Sequence, residues 1–311
     1  MRFQIRRSIN NIYSAVSIPE GKEYICRIKG KFLKGSNEYN PVAVGDVAIG
    51  EPYSPNEALI TEIEERRSGF TRWNVKAFLN QTIASNQDQT AIVLSSVSPP
   101  FRPRFVDRAI ASSWGADILL IMNKADFGLD EFEEERWDLY RELGYSTISV
   151  SSLDGSGIEE LKEKYLKGRT TAFVGQSGVG KSTLINTLMG TNQRTGDVSD
   201  KFNRGRHTTN HSIFLPGDDF NLIDTPGVRE IQVPLEENES VKASFPELRD
   251  PGCLYPDCLH RGEEGCVVPD MVENGTIHYD RYESYLRILE SLDERRPLWS
   301  RKGGKDGRKN Y

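Results

Sequence analysis

Eight consecutive residues, Gly175-Gln176-Ser177-Gly178-Val179-Gly180-Lys181-Ser182, form a complete G-x-x-x-x-G-K-S run. Glycines at this spacing let main-chain N–H groups close around phosphates. Lys181 can then reach the β- and γ-phosphates, and the Ser182 hydroxyl can bind Mg²⁺. Such a loop needs a strand before it and a helix after it. Thr170–Val174 reads as that strand and Ser182–Met189 as that helix, with Thr183 in its first turn. About 40 residues on, Asp224-Thr225-Pro226-Gly227 follows another apolar run. An Asp there can hold Mg²⁺ through water, and the Gly227 N–H can meet a γ-phosphate.

A third motif addresses the base. Asn123-Lys124-Ala125-Asp126 stands directly after the apolar run that ends at Met122. Guanine offers two donors on one edge, and a carboxylate such as Asp126 accepts both with charge assistance. Adenine presents the opposite pattern, which argues against a general ATPase. Ser151 and Ser152, after the strand ending at Val150, are placed to back the base through main-chain contacts.

Near the other end, Cys253, Cys258, His260 and Cys266 bring three thiols and one imidazole within 14 residues. Four such ligands suit a closed tetrahedral structural zinc; a catalytic zinc would keep one position open. Cys26 lies in an apolar stretch and reads as a small core residue. His211 and His278 read as ordinary polar residues.

The elements that must carry these residues change character along the chain. Residues 1–70 read as short strands, among them Tyr24–Gly30, Gly45–Gly50 and Leu59–Ile63, which together suggest a small barrel. From about residue 75 the texture is α/β. Apolar runs at Thr90–Ser95 and Asp117–Met122 suit buried parallel strands. Helices are expected over Phe105–Trp114, Glu131–Leu143 and Ile158–Lys167, with strands at Thr147–Val150 and Phe220–Ile223. This alternation implies a doubly wound sheet. A helix over Tyr279–Asp293 follows the cysteine cluster.

The composition, 37% hydrophobic and 28% charged over 311 residues, is that of a globular protein with room for two to three domains. No apolar run approaches the roughly 20 residues that span a bilayer. The first 18 residues are broken by Arg2, Arg6, Arg7, Asn10 and Asn11, unlike a secretion signal. A cytoplasmic location without membrane attachment is expected. Charge is uneven. Residues 1–40 carry +5 and residues 295–311 carry +6, so the remainder carries −17 of the overall −6. Basic ends on an acidic body suit contact with a polyanion, or serve as solubilising termini.

The three nucleotide motifs are those of the Ras-like GTPase superfamily in rotated order, because residues 123–126 and 151–152 precede the phosphate loop. Such permutation is tolerated where chain termini lie close together. A permuted GTPase domain between a barrel and a Cys/His module resembles the small ribosomal subunit biogenesis GTPase A (RsgA) family. Gly205-Arg206-His207-Thr208-Thr209, Asn86-Gln87-Asp88, Gly45-Asp46 and Arg66-Arg67 add to the likeness. Asn210 departs from it, where the family commonly has a third Thr, and leaves open which of Thr208 and Thr209 meets Mg²⁺.

The resemblance implies an OB-like barrel over 1–71, a circularly permuted Ras-like P-loop GTPase domain over 72–235 and a zinc-binding helical module with a basic tail over 236–311. It also implies GTP and GDP as ligands with Mg²⁺, one structural Zn²⁺, and a monomer that binds the small ribosomal subunit and its rRNA rather than DNA. The expected activity is GTP hydrolysis as a timing or checkpoint step in late small-subunit maturation. The competing reading is a non-catalytic GTP/GDP sensor acting on a protein partner. Val228 keeps that reading open, because it stands where Ras-like proteins orient the attacking water with Gln. Slow hydrolysis by the isolated chain is therefore expected. His207 is a candidate to complete the site; contact with RNA or solvent is its other reading.

Overall fold

Alternation of inward apolar and outward polar residues sets the first five strands of the computed structural model, which describes residues 1–9, 11–28, 38–190, 211–235 and 237–296. These are β1 (Arg2–Ile9), β2 (Ile12–Ile18), β3 (Glu23–Ile28), β4 (Val47–Ser54) and β5 (Glu57–Ile63). Phe3, Ile5, Tyr13, Tyr24, Cys26, Ala48 and Ile60 fill the space between them. The order β1-β2-β3-β5-β4 closes through a β1–β4 pairing, giving a five-stranded barrel of OB type. Cys26 is wholly enclosed, and burial pushes its thiol up to about 11, as befits a core residue.

The hairpin β6 (Gly69–Asn74) and β7 (Leu79–Ser85) comes next, then β8 (Gln89–Ser95), whose seven residues are all buried. Helix α1 (Pro103–Ala111) precedes β9 (Ser113–Trp114) and β10 (Asp117–Asn123). Helix α2 (Glu131–Glu142) opens with a capping box between Asp130 and Glu133 and leads to β11 (Ser146–Ser149). Helix α3 runs over Ile158–Glu160 and continues as a π-type turn over Leu161–Leu166. Then come β12 (Thr170–Gly175), α4 (Lys181–Leu188), β13 (Ile213–Leu215) and β14 (Asn221–Asp224). In the sheet the order is β11-β10-β8-β12-β14-β13. Strands β11, β10, β8, β12 and β14 are parallel, and β13 is antiparallel to β14. The phosphate-loop strand β12 is central although the chain enters at β8. That is the architecture of a circularly permuted GTPase domain.

The barrel is mounted on this sheet through Arg7 of β1, which pairs with Ile213 of β13. A buried polar cluster adds to the junction. Arg66 grips the fully enclosed Asp46 with two bonds (2.8 and 3.0 Å) and reaches Glu38 at 2.9 Å. Asp46 also accepts from the Ala43 N–H and the Ser85 hydroxyl. Gly45 beside it has φ +96°, and a Cβ there would sit 2.0 Å from the Ser85 carbonyl oxygen, so no other residue fits.

Several boundaries differ from the sequence reading, and one difference has a clear cause. Helix α1 ends at Ala111 rather than running to Trp114. Trp114 pairs with Gly69, lies flat on it and donates to the Thr71 hydroxyl at 3.1 Å. Tertiary packing thus overrides the local helical pattern.

The chain divides into two units, Met1–Gln232 and Val233–Tyr311. The second holds α5 (Asn238–Ala243), α6 (Val268–Glu273) and α7 (Tyr279–Arg295). Helix α7 buries Tyr285, Ile288, Leu289 and Leu292 along one face. No helix among the described residues is long and apolar enough to cross a membrane.

Candidate functional site

Four strands of the sheet deliver the nucleotide motifs to one edge. The phosphate loop joins β12 to α4, Asp224 ends β14, Asn123 ends β10 and Ser151-Ser152 follow β11. Parallel strands end their carboxyl sides together, which is where ligands meet such sheets. Gln176, Ser177, Gly178, Gly180, Lys181, Ser182, Thr183 and Gly227 line a cavity of about 300 Å³. Gly178 and Gly180 take φ of +94° and +87°, and a Cβ on Gly180 would lie 2.4 Å from the Asn123 amide nitrogen. Gly227 lies beside the loop, where a Cβ would make ordinary contact with the Ser177 Cα at 3.4 Å.

Lys181 is buried at the foot of this cavity. Its ammonium donates to the Asp224 carboxylate and to the Thr225 carbonyl. Asp224 is itself fully enclosed. The pair neutralises two charges that would be costly apart in the interior. Phosphate is the alternative anion for Lys181, and a cation the alternative partner for Asp224.

The base-side loops are welded to the phosphate loop. The Asn123 side chain donates to the Val179 carbonyl at 2.9 Å and accepts from the Ser152 hydroxyl at 3.0 Å. The Ala125 N–H donates to the Val150 carbonyl at 3.0 Å. Lys124 adopts φ +62°, a left-handed conformation that costs a non-glycine residue about 1–3 kcal/mol. It is held there by three bonds from its ammonium, to the carbonyls of Val97, Ser98 and Gly178 at 2.9–3.0 Å. Asp126 stands exposed in the one-turn 3₁₀ helix Ala125–Phe127. No hydrogen bond or ion pair engages its carboxylate among the described residues, so both oxygens are free to accept.

Sequence reasoning missed the Val97-Ser98 carbonyls. Their only signal is position, in the loop leaving a buried parallel strand. Val228 is turned away from the cavity. It is 8% exposed, packs with Ile231 and Val174, and its N–H donates to Gly175 at 3.2 Å. Its side chain belongs to the core and has no group that could orient water. His207, Thr208 and Thr209 lie outside the described residues.

In the second unit, Cys253, Cys258, His260 and Cys266 present ligand atoms all within 4.8 Å of one another. The Cys253 and Cys266 sulfurs are 3.9 Å apart and lie 3.4 and 3.6 Å from His260 Nδ1. Tetrahedral zinc with Zn–S near 2.3 Å requires about 3.8 Å between sulfurs, so the donor set fits. His260 Nε2 donates to the Leu248 carbonyl at 2.9 Å, which directs Nδ1 to the cluster. Burial pushes the Cys258 thiol up to about 12, raises that of Cys266 and lowers His260. The loop is pinned from behind by residues the motif does not reveal. Tyr282 and Tyr285 donate to the carbonyls of His260 and Leu259 at 2.6 and 2.8 Å. Glu263 accepts from the Leu259 and Arg261 N–H groups.

Fold and site together define a circularly permuted GTPase. The sequence model of the family described as RsgA GTPase matches residues 63–234, more than half the chain. A small ribosomal subunit biogenesis GTPase RsgA of Borreliella burgdorferi is 37% identical over 298 residues, covering 94% of this chain and 96% of that protein. One from Chlorobaculum parvum is 39% identical over 295 residues, covering 90% and 94%. The crystal structure of YjeQ from Thermotoga maritima superimposes with a TM-score of 0.68 at 27% identity, covering 94% of this chain and 98% of that one. YloQ, described as a circularly permuted GTPase, has a TM-score of 0.65 at 23% identity over 95% and 96%, and supports the fold. The chain belongs to the RsgA GTPase family.

Proposed function

We propose that this GTPase binds the small ribosomal subunit through its rRNA, acts as a checkpoint in its late maturation, and hydrolyses GTP fastest when docked. The observation that carries this reading is the agreement in length and sequence with relatives named for small-subunit biogenesis, across nearly the whole of both chains.

In the proposed site, Asp126 accepts from the two guanine donors, and Ser151-Ser152 back the base. Asn123, Lys124 and Ala125 shape that wall. The N–H groups of Gly175 to Ser182 receive the phosphates. Lys181 exchanges Asp224 for the β- and γ-phosphates, and Thr183 continues the first turn of α4. Ser182 and Asp224 would hold Mg²⁺, which when bound neutralises phosphate charge, with one of Thr208 and Thr209 completing its shell. The Gly227 N–H senses the γ-phosphate. The boundary between the two units falls five residues beyond Gly227, after Gln232. A change at Gly227 is thereby passed directly to the chain entering the second unit. Cys253, Cys258, His260 and Cys266 would hold one structural zinc there.

Val228 offers no water-orienting group, so the isolated chain is a slow enzyme. Either His207 or the docked subunit supplies the missing function. The reading is tested by multiple-turnover GTP hydrolysis with purified small subunits, large subunits or bare RNA added. Stimulation by small subunits supports it. Turnover indifferent to all three favours the non-catalytic sensor, the reading that Val228 keeps open.

A further inference from the structure

Beside the nucleotide cavity, on the other side of Pro226, lies a second and smaller one of about 70 Å³. Its walls come from the barrel (Ser8), the segment before β4 (Asn40), the β6–β7 hairpin (Arg72, Gln81) and the residues entering β13 (His211, Ser212). Among the described residues no Asp or Glu lines it, and Glu38 stands behind the wall, accepting from the hydroxyl of the lining Thr82 at 3.3 Å. Arg72 is half-buried, yet it makes no ion pair among the described residues. Among those residues its buried Nε finds no hydrogen-bond partner, and its terminal nitrogen reaches the Gln81 side-chain oxygen at 3.5 Å. A second arginine close by repeats the pattern. Arg7, paired with Ile213 of β13, also buries an Nε that has no partner among the described residues.

A guanidinium partly removed from water without a counter-ion is unfavourable unless an anion joins it. The cavity holds several times the roughly 10–15 Å³ that one water needs, which suits a single tetrahedral oxyanion. Its polar lining is a fork-shaped cation with hydroxyl and amide groups, the donor set that recognises phosphate. We propose that this cavity is a phosphate-binding site, with Arg72 as its anchor. It is distinct from the nucleotide site and shares with it only the turn at Pro226-Gly227. A phosphate seated there would bear on both the strand that follows residues 191–210 and the turn that senses the γ-phosphate.

The test uses the full chain saturated with Mg²⁺ and a non-hydrolysable GTP analogue, so that the nucleotide site is filled. Inorganic phosphate is titrated against chloride at matched ionic strength, and the melting temperature is read. The expected result is a saturable rise specific to phosphate in the native chain, abolished in Arg72→Gln and partly kept in Arg72→Lys. Ser8→Asp, which leaves Arg72 in place and tethers a carboxylate at the rim, should also abolish the rise. Without phosphate, Arg72→Gln should melt no lower than the native chain, because the uncompensated charge is gone. A phosphate response of native size in both Arg72→Gln and Ser8→Asp would overturn the proposal, as would no phosphate-specific response in the native chain.

A second arm asks whose phosphate it is, and this arm alone rests on the small-subunit reading. If it belongs to RNA, the slope of log affinity against log salt for small-subunit binding should fall by about 0.7–0.9 in Arg72→Gln, one phosphate contact fewer. An unchanged slope alongside a lost phosphate response assigns the site to a free phosphorylated ligand.

Discussion

The nucleotide cavity and the Cys/His cluster hold their ligand groups in opposite ways. The nucleotide site gathers residues from four separate strand ends, yet its loops are tied by main-chain carbonyls. Val179, Val150, Val97, Ser98 and Gly178 accept bonds that run between the loops themselves. The Cys/His cluster draws its ligands from 14 consecutive residues, and three thiols and an imidazole converge within 4.8 Å of one another. A site built on strand ends is largely formed before its ligand arrives. A site made of converging ligands is completed by its ion. The comparison teaches that long sequence separation does not mean weak preorganisation.

The largest effect should follow from removing zinc. Structural zinc in small modules contributes about 10–16 kcal/mol of apparent binding free energy. Chelation, or Cys258→Ala, should therefore unfold the cluster and much of residues 237–296. Hydrogen exchange should reveal this while GTP affinity stays near native. Metal analysis should give one zinc per chain beforehand. Thiols raised by burial hold their protons more tightly, so zinc must compete with them and its affinity should fall as pH drops. Equal loss of nucleotide binding on chelation would break the comparison.

Lys181→Ala comes next. It removes the buried ammonium that neutralises the Asp224 carboxylate, which costs about 3–5 kcal/mol in the ligand-free protein. It should also abolish phosphate binding. Differential scanning in the presence and absence of GTP separates the two losses. Ser182→Ala should chiefly lose the Mg²⁺-dependent part of affinity, and His207→Ala should lower stimulated turnover while keeping GTP affinity.

Asp126→Asn is expected to lower GTP affinity by roughly 10- to 100-fold, since a charged acceptor of two bonds becomes half donor. Xanthine nucleotides should regain part of the loss. Competition titration with both bases decides it, and unchanged GTP affinity would remove Asp126 from the base site. The smallest effect belongs to Tyr282→Phe. Losing its bond to the His260 carbonyl should cost about 0.5–1.5 kcal/mol, seen as a modestly weaker hold on zinc in a chelator competition.

The nucleotide motifs and their supporting strands were legible in the sequence because each is a contiguous apolar run ending in a loop with few tolerable residues. Gly180 shows why: a side chain there would strike Asn123, which is 57 positions earlier. The barrel was legible only in part. Strands β1 and β2 were not singled out, although Phe3 and Ile5 alternate with Arg2, Gln4 and Arg6 as in a half-buried strand; the alternation breaks where the β1–β2 register shifts between Ile5 and Arg7. The β6–β7 hairpin escaped because its stability comes from partners elsewhere, among them Trp114 on Gly69. Residues that support a site were hidden for the same reason. Nothing local marks Leu248, Tyr282 or the Val97 carbonyl as props for His260 and Lys124. The turned-in Val228 was visible as a missing glutamine, but its place in the core was not.

The central claim is that a site where Val228 offers no water-orienting group is completed on the small ribosomal subunit. It is tested most directly by comparing GTP turnover by the full chain, alone and with a molar excess of small subunits, under one salt condition. A severalfold or greater stimulation that large subunits do not reproduce is the predicted result. Turnover unchanged by small subunits, although the chain co-sediments with them in the GTP-analogue state, would contradict the account.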